Sequence, residues 1–377
     1  MTSETATNGL ELISRAGVSV WLDDLSRDAL TNGTLAELIG TRHVVGVTTN
    51  PTIFAGAVAG GDAYASQLAG LGADGASADE AALALTTDDV RDACDVFAAT
   101  YQATSGRDGR VSIEVDPRLA HDTAGTIAAA QQLWRTVDRP NAMIKIPATE
   151  AGLPAITATI AAGISVNVTL IFGLDRYRAV ANAYVDGLEQ AEANGVDVST
   201  IRSVASIFLS RIDTKVDAAL DRIGSPAALA LRGKAAIANS RLAYEIFEDV
   251  FATPRFAALG GAHRQRPLWA STGTKNPDYP DTMYVDELVT ADVVNTMPRK
   301  TLEAVADHSA ATGADVVAGT ADAARDTLTA ITDLGVEFDQ ILLDLEAAGV
   351  TSFEDSWATL LEQVEAGLRA RAGQVEG

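Results

Sequence analysis

Eight short apolar runs recur along the chain, and stretches with apolar residues spaced three and four apart separate them. A strand-length apolar run followed by a helical stretch is typical of a parallel β-α-β unit. The predicted strands cover residues 17–24, 44–51, 110–117, 142–149, 163–172, 202–208, 267–272 and 293–298. Eight such units fit an α/β fold with a closed (β/α)8 barrel, the TIM barrel, and a doubly wound open sheet is the structural alternative.

Helical patterns fill the intervals and dominate the chain after the eighth strand. They are predicted at about 28–39, 61–71, 78–103, 122–137, 153–162, 176–194, 212–223, 226–251, 321–334, 338–348 and 352–372. Because no shift in composition marks a linker, we expect a single barrel domain over residues 1–377. Its strands and helices would occupy about 17–298, with extra C-terminal helices over 299–377. The sequence leaves open whether those helices cover the site or build the interface of a homodimer.

The fourth run, Ala142-Met143-Ile144-Lys145-Ile146-Pro147-Ala148-Thr149, carries a lysine in its middle. Lysine is rarely fully buried unless another group pairs with it. Burial disfavours the ammonium form, and the amine that results can form a Schiff base with a carbonyl substrate. In the alternative interpretation, the stem packs on apolar neighbours while the charged head reaches water. The strand alone favours neither interpretation.

Polar or charged residues end all eight predicted strands. These endings are Asp23-Asp24, Thr48-Thr49-Asn50, Glu114 and Asp116, Lys145, Asn167 and Thr169, Ser206, Ser271-Thr272, and Asn295. In a barrel the catalytic groups come from the C-terminal ends of several strands, so we expect these endings to converge on one mouth. Side chains alternate between the two faces of a strand, which places Lys145 and Glu114 in a polar lumen and the aliphatic residues outside.

Taken singly, each polar ending also has a structural explanation, such as shaping a loop or bonding to a neighbouring backbone group. The convergence of a buried lysine with two acids, Asp23 and Glu114, favours chemistry instead. Carboxylates compensate the charge of an iminium ion and carry protons to and from the reacting atoms.

Composition narrows the classes of function. The formal net charge of −23 argues against binding to nucleic acid or to an anionic membrane. Cys94 is the single cysteine, so we expect no intrachain disulfide and a reducing, cytoplasmic setting. Residues 1–9 lack the apolar segment of a signal peptide, and no stretch reaches the apolar length of a membrane helix. The histidines lack the usual zinc-ligand spacing, which argues against a zinc site, although distant carboxylates could still hold a hard cation. No glycine-rich nucleotide motif occurs, which argues against a Rossmann or P-loop nucleotide site.

Several motifs resemble, in their order, those of the transaldolase family. They are Val47-Thr48-Thr49-Asn50-Pro51-Thr52, Ile113-Glu114-Val115-Asp116, Met143-Ile144-Lys145-Ile146-Pro147-Ala148-Thr149, Asn167-Val168-Thr169-Leu170-Ile171-Phe172, Ser206-Ile207-Phe208-Leu209-Ser210-Arg211-Ile212-Asp213 and Trp269-Ala270-Ser271-Thr272-Gly273-Thr274-Lys275-Asn276. The resemblance runs from about residue 18 to residue 298, and the long form with extra helices is similar to the actinobacterial and cyanobacterial branch. It implies a barrel of the class I aldolase type that needs no metal or cofactor.

The same resemblance implies a role for each site residue. Lys145 would form an imine with the C2 ketone of a sugar phosphate, and Asp23 would take the C4 hydroxyl proton. Glu114 would move protons through a water held by Thr169. The substrate would be bound by Asn50, Asn167, Ser206, Arg211 and Ser271, with the phosphate on Arg211. The implied reaction transfers a dihydroxyacetone unit from sedoheptulose 7-phosphate to glyceraldehyde 3-phosphate. It gives erythrose 4-phosphate and fructose 6-phosphate in the non-oxidative pentose phosphate pathway.

One departure from the family pattern concerns the phosphate. Common members of the family carry an arginine shortly after the Ala-Ser of strand seven, whereas Ala270-Ser271 is followed here by Thr272-Gly273-Thr274 and Lys275. We hypothesise that Lys275 supplies the second phosphate charge, as a point charge without the bidentate fork of arginine.

Two other functions stay open. One is a fructose 6-phosphate aldolase-like class I aldolase that releases dihydroxyacetone. Such enzymes resemble this family but usually have glutamine in place of Glu114 and prefer tyrosine in place of Phe208, so both positions favour transaldolase. The other is a catalytically silent barrel that only binds sugar phosphates or a protein partner, which the presence of the lysine and both acids disfavours.

Overall fold

Parallel strands form a closed barrel in the computed structural model, which describes residues 8–60 and 62–372. Each strand pairs with the next along the chain, and the last strand pairs with the first. The strands are β1 Val18–Leu22, β2 Gly46–Val47, β3 Arg110–Glu114, β4 Ala142–Pro147, β5 Val166–Ile171, β6 Ser203–Phe208, β7 Arg266–Ala270 and β8 Val293–Met297. The closed barrel confirms the predicted fold class and excludes the open sheet.

Helices surround the barrel and extend past its last strand. They are α1 Gly9–Arg15, α2 Arg27–Thr31, α3 Thr34–Thr41, α4 Pro51–Ala59, α5 Ala65–Ala73, α6 Ala78–Val96, α7 Ala98–Ala103, α8 Thr123–Val137, α9 Gly152–Ala161, α10 Leu174–Ala193, α11 Ser210–Ile223, α12 Pro226–Leu229, α13 Ala235–Phe251, α14 Pro254–Ala257, α15 Met283–Asp286, α16 Arg299–His308, α17 Ala321–Asp333 and α18 Phe338–Ala372. Among the residues that the structure describes, none of these helices is both long and apolar enough to cross a membrane.

Several predicted boundaries are wrong. The predicted second strand ran to residue 51, but Pro51 begins α4 and Asn50 caps that helix by accepting a hydrogen bond from the amide of Ile53. The predicted helices 78–103 and 226–251 are each interrupted, and the predicted start of helix 61–71 at Gly61 lies outside the described residues. The barrel was thus predictable from the apolar runs. The exact ends of helices and strands depend instead on capping hydrogen bonds such as that of Asn50.

Helix α18 is continuous, although the sequence predicted a break between residues 348 and 352. Gly349 lies at the predicted break, and glycine weakens a helix interior. Gly349 instead lies where α18 packs closely on β5: a Cβ atom there would come within 3.0 Å of the Leu170 side chain. Close packing against the barrel therefore offsets the low helix propensity of this residue. Along its length α18 also contacts α4, α5, α6 and α11.

Charged and neutral hydrogen-bonding side chains are buried together at the N-terminal end of the barrel interior. We name this set the basal cluster: Ser19, Trp21, Asp108, Arg110 and Arg266. The Asp108 carboxylate accepts hydrogen bonds from Ser19 Oγ at 2.8 Å, Trp21 Nε1 at 3.2 Å and Arg266 Nη2 at 2.9 Å. Arg110 donates to the carbonyl of Gly106. Ser19, Trp21, Asp108 and Arg266 are thus bonded to one another, and Arg110 fills the same end of the lumen beside them.

Candidate active site

Lys145 projects from the middle of β4 into the lumen and is 4% exposed. Its Nζ donates a hydrogen bond to the carbonyl of Thr49 at 3.1 Å and lies 3.5 Å from Glu114 Oε2. The strand pairing places Glu114 of β3 directly beside Lys145, on the same face. The interpretation as a buried, paired lysine is thus confirmed, and the interpretation as a lysine whose head reaches water is wrong.

Two carboxyl groups near Lys145 have their proton affinity raised. Burial raises the pKa of Glu114 to about 7, with a further increase from Asp23, while the neighbouring Lys145 acts in the opposite direction. Burial also raises the pKa of Asp23 above its ordinary value, against the lowering effects of Lys145 and of Thr48, whose hydroxyl donates to Asp23 Oδ1 at 2.6 Å. Carboxyl groups whose pKa is raised by burial are suited to proton transfer.

Thr169 and Asn167 lie on β5 beside the lysine strand and are fully buried. The Thr169 hydroxyl and both carboxylate oxygens of Glu114 have no hydrogen-bond partner among the described residues. The Asn167 amide is engaged instead: it donates to Ser112 Oγ at 3.0 Å and accepts from Ser206 Oγ at 2.7 Å. Asn167 thereby fixes the Ser206 hydroxyl, and Thr169 and Glu114 keep polar atoms free for another molecule.

A cavity of about 290 Å³ opens above Lys145. It brings together most of the predicted site residues, namely Asp23, Asn50, Lys145, Ser206, Arg211, Ser271 and Lys275. Glu114, Asn167 and Thr169 do not line this cavity and lie in the layer of buried side chains beside it. The predicted convergence on one mouth is therefore confirmed for the ends of β1, β2, β4, β6 and β7.

Two cations face the cavity from loops and helix ends beyond the strands. Arg211, in the first turn of α11, lies over the Phe208 ring at 5.6 Å, and burial lowers the pKa of its guanidinium. Lys275 lies in the loop after β7 and is exposed. Neither side chain forms an ion pair with an acid in the part of the chain that the structure describes. In a chain of net charge −23, two cations without an acidic partner at one cavity would suit an anionic ligand.

The backbone is unusual at two points beside the cavity. Ser271 has φ of +57°, and Leu170, which follows Thr169, has φ of +60° where the pairing of β5 with β6 shifts register. This left-handed backbone conformation costs a non-glycine residue conformational free energy. Residues that adopt it are found preferentially at functional sites. Ser271 shares a hydrogen bond of 2.8 Å with the Ser210 hydroxyl at the start of α11, which ties the loop after β7 to the helix that carries Arg211.

The structure adds cavity residues that the sequence did not indicate. Phe353 of α18 lines the cavity, with its ring centroid 5.6 Å from Lys145 Nζ. Thr296 lines it as well, whereas Asn295, which was expected at the mouth, does not. Since β8 pairs Thr296 with Trp21 of the lumen, alternation turns Asn295 outward. Strand alternation could have found Thr296, but no local signal could have found Phe353, which lies far along the chain from the strands it faces.

The chain is similar to known proteins over nearly its whole length. Residues 20–364 match the family described as Transaldolase/Fructose-6-phosphate aldolase. The chain is 58% identical to "Transaldolase" of Mycolicibacterium smegmatis over 363 residues, 96% of this chain and 98% of that protein. It is 56% identical to "Transaldolase 1" of Streptomyces avermitilis over 378 residues, covering 100% of both chains. It is 58% identical to "Transaldolase" of Thermobifida fusca over 363 residues, 96% of this chain and 98% of that one. These actinobacterial relatives match the long form that the sequence resembled.

Proposed function

The chain belongs to the transaldolase/fructose-6-phosphate aldolase family, and from that premise we propose how its cavity carries out transaldolase chemistry. The enzyme moves a dihydroxyacetone unit from sedoheptulose 7-phosphate to glyceraldehyde 3-phosphate, giving erythrose 4-phosphate and fructose 6-phosphate. The observation that carries the proposal is a buried lysine, Lys145, beside two carboxyl groups of raised pKa in a cavity that also holds Arg211 and Lys275.

The first step is formation of the Schiff base. Lys145 Nζ attacks the C2 carbonyl of the ketose; the N–C2 bond forms and the carbonyl oxygen leaves as water after taking up two protons. Glu114 lies 3.5 Å from Nζ, so it accepts a proton that the nitrogen loses and returns it to the departing oxygen. Its pKa of about 7 lets it serve in both directions at neutral pH. The free Thr169 hydroxyl is placed to hold the water that relays these protons.

The second step is carbon–carbon cleavage. Asp23 takes the proton of the C4 hydroxyl, the C3–C4 bond breaks, and its electron pair enters the iminium to give an enamine on Lys145. The aldehyde fragment, erythrose 4-phosphate, departs. The enamine then attacks C1 of glyceraldehyde 3-phosphate, and Asp23 returns its proton to the new C4 hydroxyl. Water releases fructose 6-phosphate and restores the amine. Thr48 keeps the Asp23 carboxyl oriented through its 2.6 Å hydrogen bond.

Different residues bind the hydroxyl groups and the phosphate of the substrate. Asn50, Ser206 and Ser271 line the cavity and bind the sugar hydroxyls, and Asn167 acts on the dihydroxyacetone unit together with Ser206, to which it is bonded. The phosphate lies against the Arg211 guanidinium, with Lys275 as the second charge, because both cations face the cavity without an acidic partner among the described residues.

The cellular setting forms part of the proposal. The reaction belongs to the non-oxidative pentose phosphate pathway, and a chain with one buried cysteine, Cys94, suits the reducing cytoplasm. Its partners are small sugar phosphates; nucleic acid and membranes are not among them, and no cofactor or metal takes part. A homodimer is compatible with the helices outside the barrel.

Product analysis tests the proposed function against the aldolase alternative. The protein is incubated with fructose 6-phosphate, with and without erythrose 4-phosphate as acceptor. We expect sedoheptulose 7-phosphate and glyceraldehyde 3-phosphate in equal amounts when the acceptor is present, and little free dihydroxyacetone in its absence. Equally fast release of dihydroxyacetone without acceptor would identify an aldolase, and no turnover in either case would identify a binding protein.

A further inference from the structure

An aromatic ring from outside the barrel closes the cavity above the reactive nitrogen. Phe353 is 4% exposed, lines the same cavity as Lys145, and presents its ring 5.6 Å from Nζ. The face of an aromatic ring carries negative electrostatic potential and attracts cations within about 6 Å of its centre. The nitrogen of Lys145 is cationic both as an ammonium and as an iminium.

Helix α18 holds this ring in place through one stripe of contacts. Gly349, one turn before Phe353, packs closely on the Leu170 side chain, and a Cβ atom there would meet it at 3.0 Å. One turn after Phe353, Ser356 Oγ shares a 2.8 Å hydrogen bond with the hydroxyl of Thr52, another cavity residue. Residues 349, 353 and 356 share one helix face, so the helix is docked on both sides of the ring.

A second anchor fixes α18 along its length. Glu346 accepts two hydrogen bonds from Arg176 of α10, at 3.0 and 3.2 Å, and both side chains are 17% exposed. A bidentate arginine–carboxylate pair fixes direction as well as distance. Contacts of α18 with β5, α4 and α10 therefore fix the position of Phe353 over Lys145.

We propose that Phe353 caps the Schiff-base nitrogen and decides whether the enamine transfers its dihydroxyacetone unit or loses it to water. The inference rests on the proposed function. Loss to water requires protonation of the enamine at C3, attack of water on C2 of the resulting iminium, and cleavage of the C2–N bond to give free dihydroxyacetone and the Lys145 amine. The Phe353 ring has two effects. It stabilises the cationic nitrogen of Lys145, and it forms an apolar wall on the side from which water would approach.

Two substitutions separate these actions. Phe353→Leu keeps an apolar wall but removes the ring, so kcat/KM should fall by about threefold to thirtyfold with little free dihydroxyacetone. Phe353→Ala removes both, so the ratio of free to transferred dihydroxyacetone should rise on the order of tenfold. Leu360→Ala is the matched control: Leu360 is buried on α18 but does not line the cavity. It should destabilise the helix without changing that ratio.

The assay measures the ratio of free to transferred dihydroxyacetone with fructose 6-phosphate and erythrose 4-phosphate, together with the adduct trapped on Lys145 by borohydride. Wild-type ratios and wild-type kcat/KM in both Phe353 variants would overturn the inference. The same ratio change in Leu360→Ala and Phe353→Ala would also overturn it, since loosening of α18 would then suffice. A wild-type protein without an adduct on Lys145 would instead refute the proposed function, so the two failures are distinguishable.

Discussion

The two ends of this barrel bury charged side chains in opposite ways. In the basal cluster, Asp108 is bonded by Ser19, Trp21 and Arg266. Burial pushes the pKa of Asp108 upward, but Arg266 and the neutral donors more than offset it, so the carboxyl has a pKa below its ordinary value. At the mouth, Glu114 is as deeply buried and has the Lys145 ammonium 3.5 Å from Oε2, yet its oxygens accept no hydrogen bond from a neutral donor among the described residues and its pKa rises to about 7.

Burial of a carboxyl group thus has a different effect in the basal cluster and at the mouth. Where hydrogen bonds satisfy the charge, the cluster is rigid and fixes the lumen; where they do not, the proton becomes easy to move. One end of this barrel stabilises the fold and the other holds groups suited to proton transfer. This matches the general division of a (β/α)8 barrel, whose N-terminal face serves stability and whose C-terminal face serves catalysis. The comparison predicts that substitutions at the mouth cost activity and that substitutions in the basal cluster cost stability.

The largest effect is expected for Lys145→Met. Removing the nucleophile should lower the rate of dihydroxyacetone transfer by about 10⁴-fold or more, because no imine can form. The free energy of unfolding should not fall, since the substitution removes a buried cation and Glu114 can take up a proton. Rate assays with urea denaturation measure both quantities. Lys215→Met, at an exposed position on α11, is the control. Substantial activity in Lys145→Met would place the nucleophile elsewhere.

The reverse pattern is expected for Asp108→Asn. Breaking a buried, hydrogen-bonded charge pair should lower the free energy of unfolding by about 3–5 kcal/mol, because Arg266 is left without its partner. A carboxyl of depressed pKa adds stability above its ordinary pKa and loses it as the pH falls through the folded value, so the penalty should shrink in acid. The kcat of the folded variant should stay within about twofold of wild type. A loss of kcat without a loss of stability would break the comparison.

The pH dependence of the rate sharpens the comparison further. Since Glu114 has a raised pKa, kcat/KM should fall as the pH drops through about 7, where the carboxylate takes a proton and no longer serves as a base. Glu114→Gln should remove this acidic limb and lower kcat/KM by about 10²- to 10³-fold. Asp108→Asn should keep the limb. The same acidic limb in wild type and Glu114→Gln would assign it to another group, with Asp23 as the next candidate.

The smallest effect concerns Lys275, which is exposed at the cavity rim. Lys275→Ala should raise the KM for phosphorylated substrates by about threefold to tenfold with little change in kcat, since an exposed charge contributes modestly. Arg211→Ala should raise KM more, because that guanidinium is partly buried. Lys215→Ala serves as the matched exposed control. An unchanged KM in Lys275→Ala would refute its assignment as the second phosphate charge.

The barrel and the side-by-side placement of Lys145 and Glu114 were predictable from the sequence because their signals are local. Eight apolar runs predict eight strands, and strand alternation places Lys145 and Glu114 on one face. The polar endings of β1, β2, β4, β6 and β7 line the cavity, whereas those of β3 and β5 lie beside it. Asn295 of β8 is turned away, since its neighbour Thr296 faces the lumen.

What the sequence could not supply are contacts between distant segments. Phe353 meets Lys145 only because α18 crosses the mouth, and Asp108 joins the basal cluster from a loop that no motif marks. The continuity of α18 through Gly349 depends on packing against Leu170, whose left-handed backbone no propensity predicts. Local patterns thus predicted the candidate site residues, and tertiary packing determines which other side chains cover them.

The most direct test of the account is to trap the Schiff base. The wild-type protein is incubated with fructose 6-phosphate, reduced with borohydride, digested and mapped by mass spectrometry. The account predicts a mass increase for a reduced dihydroxyacetone adduct on the peptide that carries Lys145, which would show both the imine and the cleavage that precedes the trapped enamine. A folded protein with no adduct, or with the adduct on a different lysine, would contradict the assignment of the mouth as the reactive end of the barrel.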